Sequence, residues 1–154
     1  MARSKPCYLL PWVFKYLSLI FLILGAVLYY FRYIRDIKFS FLDWTVFAIN
    51  SQYFETKSWT FIKNNMSEEI IGIFLLVGFY FLAFSREKIE TAETNAIRLE
   101  SMMLTIFINT IALILSFLLI YGITFFWIMI VDAYALFIIY YIIFRIKYAK
   151  MKSA

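Results

Sequence analysis

The chain has 154 residues, 64% of them hydrophobic and 22% aromatic, with a net charge of +5, one cysteine and no histidine. Soluble domains are nearer half apolar, so this composition excludes an ordinary water-soluble core and leaves lipid or neighbouring spanning helices around most side chains. The missing histidine removes the commonest general base and metal ligand, and the lone Cys7 excludes a disulfide or a cysteine-based metal cluster within one chain.

The first apolar stretch runs from about 12 to 31 and reads as a spanning helix. Lys15 can extend its charged head to the surface at one end, and Arg32 closes the other. A short charged segment before an apolar run also suits a signal peptide. The stretch, however, ends in Tyr29-Tyr30-Phe31-Arg32-Tyr33 with no small-residue cleavage site, so a retained helix is expected.

The segment 34–66 is expected to form a small outer loop with strand character. Trp44-Thr45-Val46-Phe47-Ala48-Ile49 is β-branched and aromatic. Asn50-Ser51-Gln52 has turn chemistry. Ser58-Trp59-Thr60-Phe61-Ile62-Lys63 begins in polar/apolar alternation, a second strand signal. A hairpin of this size is marginal in water, so its aromatics need a floor of lipid headgroups, helix ends or a partner.

A second span is expected at about 70–84, short enough to borrow flanking residues. Asn65-Met66-Ser67-Glu68 resembles a capping box, with Asn65 as cap and Glu68 three residues on. The same residues form a glycosylation sequon, a weaker reading because sequons arise often by chance. The inner segment 85–100 is charged and helical in composition. Arg86 and Glu90 are spaced to share a helix face. Ile89, Ala92, Ala96, Leu99 and Met103 recur in steps of three and four, the period of an apolar seam. Arg86, Glu90, Glu93, Arg98 and Glu100 are therefore candidates for docking a cytoplasmic protein.

From Ser101 to Phe144 the chain carries a single formal charge, Asp132. As one helix this run would be roughly 66 Å long, about twice the bilayer core, so it must cross, turn and return. Spans at about 101–121 and 124–144 follow, with Gly122 as the flexible point between them. Asp132, with Asn109 and Thr110, forms the intramembrane polar set. Counted from Gly122, Asn109 and Asp132 differ in depth by about one turn, ~5 Å, close enough for a direct or water-bridged hydrogen bond. An ionisable group at this depth is a functional candidate by default, although a proton relay normally needs more than one. Ser18 and Ser116 are expected to bond within their own helices.

Four spans place both termini on the side of the 85–100 loop. That side holds Arg3, Lys5, Lys15, Arg86, Lys88, Arg98, Arg145, Lys147, Lys150 and Lys152, against Arg32, Arg35, Lys38, Lys57 and Lys63 opposite. The excess of cations predicts cytoplasmic termini in an inner-membrane protein, with Trp12, Trp44, Trp59 and Trp127 in the interfacial belts. The cations flank spans instead of forming one patch with stacking aromatics, so nucleic acid is not an expected partner.

Glu69-Ile70-Ile71-Gly72-Ile73, Phe84-Ser85-Arg86-Glu87-Lys88, Ile97-Arg98-Leu99-Glu100-Ser101 and Ile120-Tyr121-Gly122 resemble a family of small four-span, Bacteroidetes-type inner-membrane proteins of uncharacterised function. Asn109 and Arg145 fall where that family has Asn and Arg. The position of Asp132 is usually Asn there, which argues for neutral hydrogen bonding over proton relay. The resemblance implies a four-helix membrane fold and no particular activity. Its members' proximity to small helix-turn-helix regulators implies a sensing or regulatory role.

Together these readings predict an all-α membrane protein forming a single membrane domain over 1–154. It has four transmembrane helices and a small extracytoplasmic hairpin-like loop between the first two. No nucleophile–base set, phosphate loop or metal cluster is visible, so neither an enzyme nor a cofactor is expected. The expected function is a sensory, regulatory or scaffolding partner of another protein in the bilayer. The alternative is a self-associating channel, transporter or membrane-disrupting effector.

Overall fold

The computed structural model describes residues 9–52 and 56–153. These contain four helices long and apolar enough to cross a membrane and one antiparallel hairpin between the first two. Within lipid a backbone must satisfy its own polar groups, which is why each apolar stretch folds as a helix. Cys7 lies outside the described residues.

Helix α1 (Phe14–Tyr29) follows a turn in which the Phe14 N–H donates to the Pro11 carbonyl at 3.0 Å. It widens into a π-turn at Tyr30–Ile34. The chain leaves helical geometry at Asp36, whose φ of +50° is left-handed, and Arg32 holds that residue through a 3.4 Å ion pair.

Strands β1 (Asp43–Gln52) and β2 (Thr56–Asn65) pair from Asp43↔Asn65 to Gln52↔Thr56. The two expected strands are both present. The turn expected at Asn50-Ser51-Gln52 is not there: β1 continues through all three residues, because their backbones remain opposite Ser58, Lys57 and Thr56. The connection at 53–55 lies outside the described residues.

Helix α2 (Ser67–Phe84) has 18 residues, roughly 27 Å, and starts a turn earlier than expected. Asn65 supplies its start as foreseen, since its Oδ1 accepts from the Ser67 N–H at 3.3 Å and from the Ser67 hydroxyl. Glu68 departs from the capping-box expectation: its carboxylate accepts from Arg32 at 2.7 Å. The sequon reading loses ground as well, because the Asn65 amide nitrogen already donates to the Phe39 carbonyl and to Asp43.

Helix α3 (Ala92–Leu119) begins at Thr91, whose hydroxyl accepts from the Thr94 N–H at 3.1 Å. Ser85–Thr91 is irregular, so only the latter part of the 85–100 segment is helical, and it runs unbroken into the third span. Arg86 and Glu90 therefore do not share a helix face. Gly122, with φ +72° and open space where a Cβ would lie, makes the turn into α4 (Ile123–Ser153). Helix α4 has 31 residues and ends nine later than the expected span.

The chain divides into two compact units, Met1–Ile20 with Leu76–Ala154, and Phe21–Leu75. The first has its core at Ala83, Tyr140, Phe144 and Tyr148, with Phe84, Ile97, Phe137 and Met151 packed against it. The rings of Phe84, Tyr140, Phe144 and Tyr148 stack in series at 5.8, 6.1 and 5.6 Å. In the second unit Gly25 lets α1 approach α2 so closely that a Cβ there would meet Leu75 Cδ2 at 2.9 Å. Phe21 meets Phe74 edge-on nearby, at 5.4 Å.

Polarity is inverted relative to a soluble protein. The buried face of α3 is Thr94, Arg98, Ser101, Thr105 and Asn109. The predicted seam of Ile89, Ala92, Ala96, Leu99 and Met103 is exposed. From Ser101 onward, where lipid solvates large apolar side chains, nothing drives them inward, and small polar residues such as Ser101, Thr105 and Asn109 take the helix contacts because they allow close approach and hydrogen bonding.

Candidate functional site: a buried arginine where four helix ends meet

The start of α1, the end of α2, the start of α3 and the end of α4 converge in the first unit. The link Ser85–Thr91 joins them. Leu10 donates its N–H to the Phe84 carbonyl at 3.0 Å, and the Arg86 N–H donates to the Leu10 carbonyl at 2.9 Å, which pins the segment before α1 along this link. The Ser85 hydroxyl turns back to the Phe81 carbonyl, finishing α2.

Arg98 lies about two turns into α3 and is 7% exposed. Its Nε donates to Glu90 Oε1 at 3.0 Å, and one terminal nitrogen reaches Glu90 Oε2 at 3.4 Å and the Ser85 carbonyl at 3.1 Å. The other approaches the Tyr140 hydroxyl at 3.5 Å. The guanidinium carbon stands 4.4 Å from the centre of the Phe144 ring. A guanidinium does not give up its proton in proteins, so its burial requires this combination of carboxylate, carbonyl and aromatic face.

A second ion group surrounds the first. Glu87 accepts from Lys15 of α1 at 2.5 Å and lies 3.6 Å from Arg145 of α4. Its own N–H donates to Glu90 Oε2 at 2.9 Å, joining the two groups. Lys147 pairs with Glu100 at 2.7 Å. Lys88 and Lys152 lie over the rings of Trp12 and Tyr148 at 5.3 and 5.0 Å. The arrangement is an electrostatic clasp. Its carboxylates receive cations. Among the described residues no three of His, Cys, Asp or Glu gather in a metal-holding group.

The predicted site residues divide accordingly. Glu90 and Arg98 bond to each other inside the clasp and are not open for docking. Glu93 is exposed, Glu100 is exposed and paired with Lys147, and Arg86 is exposed beside Leu10. Asn109 is buried on the inward face of α3, Thr110 is exposed, and Asp132 is half-buried on α4. Among the described residues no hydrogen bond joins Asn109 to Asp132, so the intramembrane polar set does not converge on one site. Ser18 and Ser116 bond to the carbonyls of Lys15 and Ala112, as expected.

Sequence reasoning missed Ser85, Glu87, Tyr140 and Phe144. The available signal was the ladder Tyr140, Phe144, Tyr148 at steps of four, one turn apart on a single face. Compared with protein-family models, curated proteins and solved structures, the chain matches none of them.

Proposed function

We propose that the chain is a non-enzymatic integral membrane protein of the inner membrane, with cytoplasmic termini, that regulates or scaffolds through a protein partner docked on the start of α3. The excess of cations at the clasp end supports that orientation. The observation carrying the docking reading is the exposed seam of Ile89, Ala92, Ala96, Leu99 and Met103. Most of it precedes the charge-free run that begins at Ser101: Ile89 lies on the Ser85–Thr91 link and the rest on α3, which the clasp holds through Arg98. Exposed Lys88, Glu93 and Glu100 border it. An apolar stripe with charged edges is what a partner's amphipathic helix or groove recognises.

The test is the native mass and composition of the protein, solubilised gently from its own membranes. The expected result is a monomer or dimer accompanied by a distinct protein, which is lost in Leu99→Glu while the level of the variant is unchanged. Retention of the companion in a well-folded Leu99→Glu variant would remove the seam as the docking surface. An unaccompanied ring of several copies would replace the partner reading with a self-associating channel, transporter or membrane-disrupting effector.

A further inference from the structure

We propose that one face of the β1–β2 hairpin lies in the headgroup region of the same bilayer that the helices enter, so that the loop reads the lipid surface. This stands independently of any protein partner. Phe47 and Phe61 are directly opposed and so share that face, Trp59 joins them through its ring contact with Phe47, and Ile49 falls on it by alternation along β1. All four are half or more exposed, Trp59 and Phe61 at 71% and 70%. Phe47 touches Trp59 and Phe61 at ring separations of 6.2 and 5.4 Å, so they form one continuous patch.

Continuity with the membrane helix argues for lipid as the occupant. Strand β2 passes into α2 through one residue, Met66, whose N–H donates to the Leu42 carbonyl at 2.9 Å. Asn65 clamps both strand roots and the first residue of α2, and Asn64 donates to Glu69 at 3.0 Å. The root of the hairpin is thereby held at the end of a spanning helix. Ten-residue strands extend roughly 33 Å, whereas the polar zone on each side of a bilayer is only about 5–8 Å thick. An upright hairpin would carry its aromatic patch into water, and a hairpin laid down places it among headgroups.

Chemistry points the same way. Tryptophan and its aromatic neighbours are the side chains that favour this zone. Lys63, exposed on the same face, suits lipid phosphates, while Asp43, the acid at the root, is held by Asn65 at 2.6 Å. Trp59 is also kept in left-handed backbone at φ +54°, an arrangement that persists only where the surroundings compensate for it. Its ring contact with Phe47 leaves most of its surface for an outside surface to cover.

The test uses the full chain in phosphatidylcholine vesicles, with Trp12, Trp44 and Trp127 changed to Phe so that only Trp59 emits. Blue-shifted emission, quenched by lipid brominated near the headgroup and protected from aqueous iodide, is expected. Because removing Trp44 also removes its hydrogen bond to Phe41, a nitroxide on Phe61→Cys in a Cys7→Ser chain supplies a second reading. It should collide with oxygen in preference to a water-soluble nickel chelate. Iodide quenching together with nickel access would overturn the proposal. So would a face that is wet in vesicles and becomes shielded only in native membranes, since a protein would then be the occupant.

Discussion

Replacing Glu90 by Gln would keep the shape of the side chain and remove its charge, leaving the Arg98 guanidinium buried without its counter-ion. The two side chains are 15% and 8% exposed, so neither has water enough to replace the other. Removing one partner of a buried pair costs about 3–5 kcal/mol. Here the lower end applies, about 3 kcal/mol, because Arg98 keeps the Ser85 carbonyl and the Phe144 face. The double variant Glu90→Gln, Arg98→Met fills similar space, removes the buried cation and keeps an acceptor for the Glu87 N–H, so it should return to within about 1 kcal/mol of the parent. Reversible SDS titration of the full chain in mixed micelles measures both. A loss under about 0.5 kcal/mol in Glu90→Gln would mean that the pair behaves like a solvated surface bridge, and the clasp reading would fail. A double variant as unstable as the single would show that charge pairing is not what the site requires.

Two further outcomes follow from close contacts in the second unit. Gly25→Ala should lower stability by about 1 kcal/mol, the low end for overpacking, because Leu75 Cδ2 can swing away while Leu75 Cγ at 3.1 Å and Phe74 Cβ at 3.4 Å cannot easily yield. The same titration reads it, and Leu75→Ala combined with Gly25→Ala should recover part of the loss; no recovery would mean the contact is not the cause. Asn65→Ala removes the acceptor for the Ser67 N–H and two donors at the hairpin root, a loss of about 1–2 kcal/mol. Hydrogen exchange should quicken at Ser67 and along β1 and β2 while the amides of α4 keep their protection; uniform quickening would refute a local role.

The clasp explains why the charged ends tolerate so many ionisable groups at short range. Lys15, Arg98, Arg145 and Lys147 come from three different helices, and Glu87, Glu90 and Glu100 receive them from the Ser85–Thr91 link and α3. Of the docking candidates, Glu90 and Arg98 are thereby taken up inside the clasp, and Glu100 is paired with Lys147. The apolar seam therefore carries more of the partner proposal than the charges do.

Local physics made much of the fold legible in the amino-acid order. Apolar runs of near-bilayer length must be helices, because lipid offers the backbone no partners. Alternation at Ser58–Phe61 and β-branching at Trp44–Ile49 require no distant information, and neither do the left-handed turn at Gly122 or the role of Asn65 at the start of α2. Which face of each helix turns inward was decided only by the tertiary structure. Helix α4 is apolar nearly all round between Ile123 and Phe144, so its pattern names no inner side; that choice came from the stacking of Tyr140, Phe144 and Tyr148 on Phe84 and Arg98. In α3 the apolar period picked out Leu99 and Met103 as one seam without naming the side that packs inward, and the folded chain turned Arg98, Ser101, Thr105 and Asn109 inward. From Ser101 onward the reason is the solvent: lipid accepts the large apolar side chains, and close helix contact selects the small and hydrogen-bonded ones.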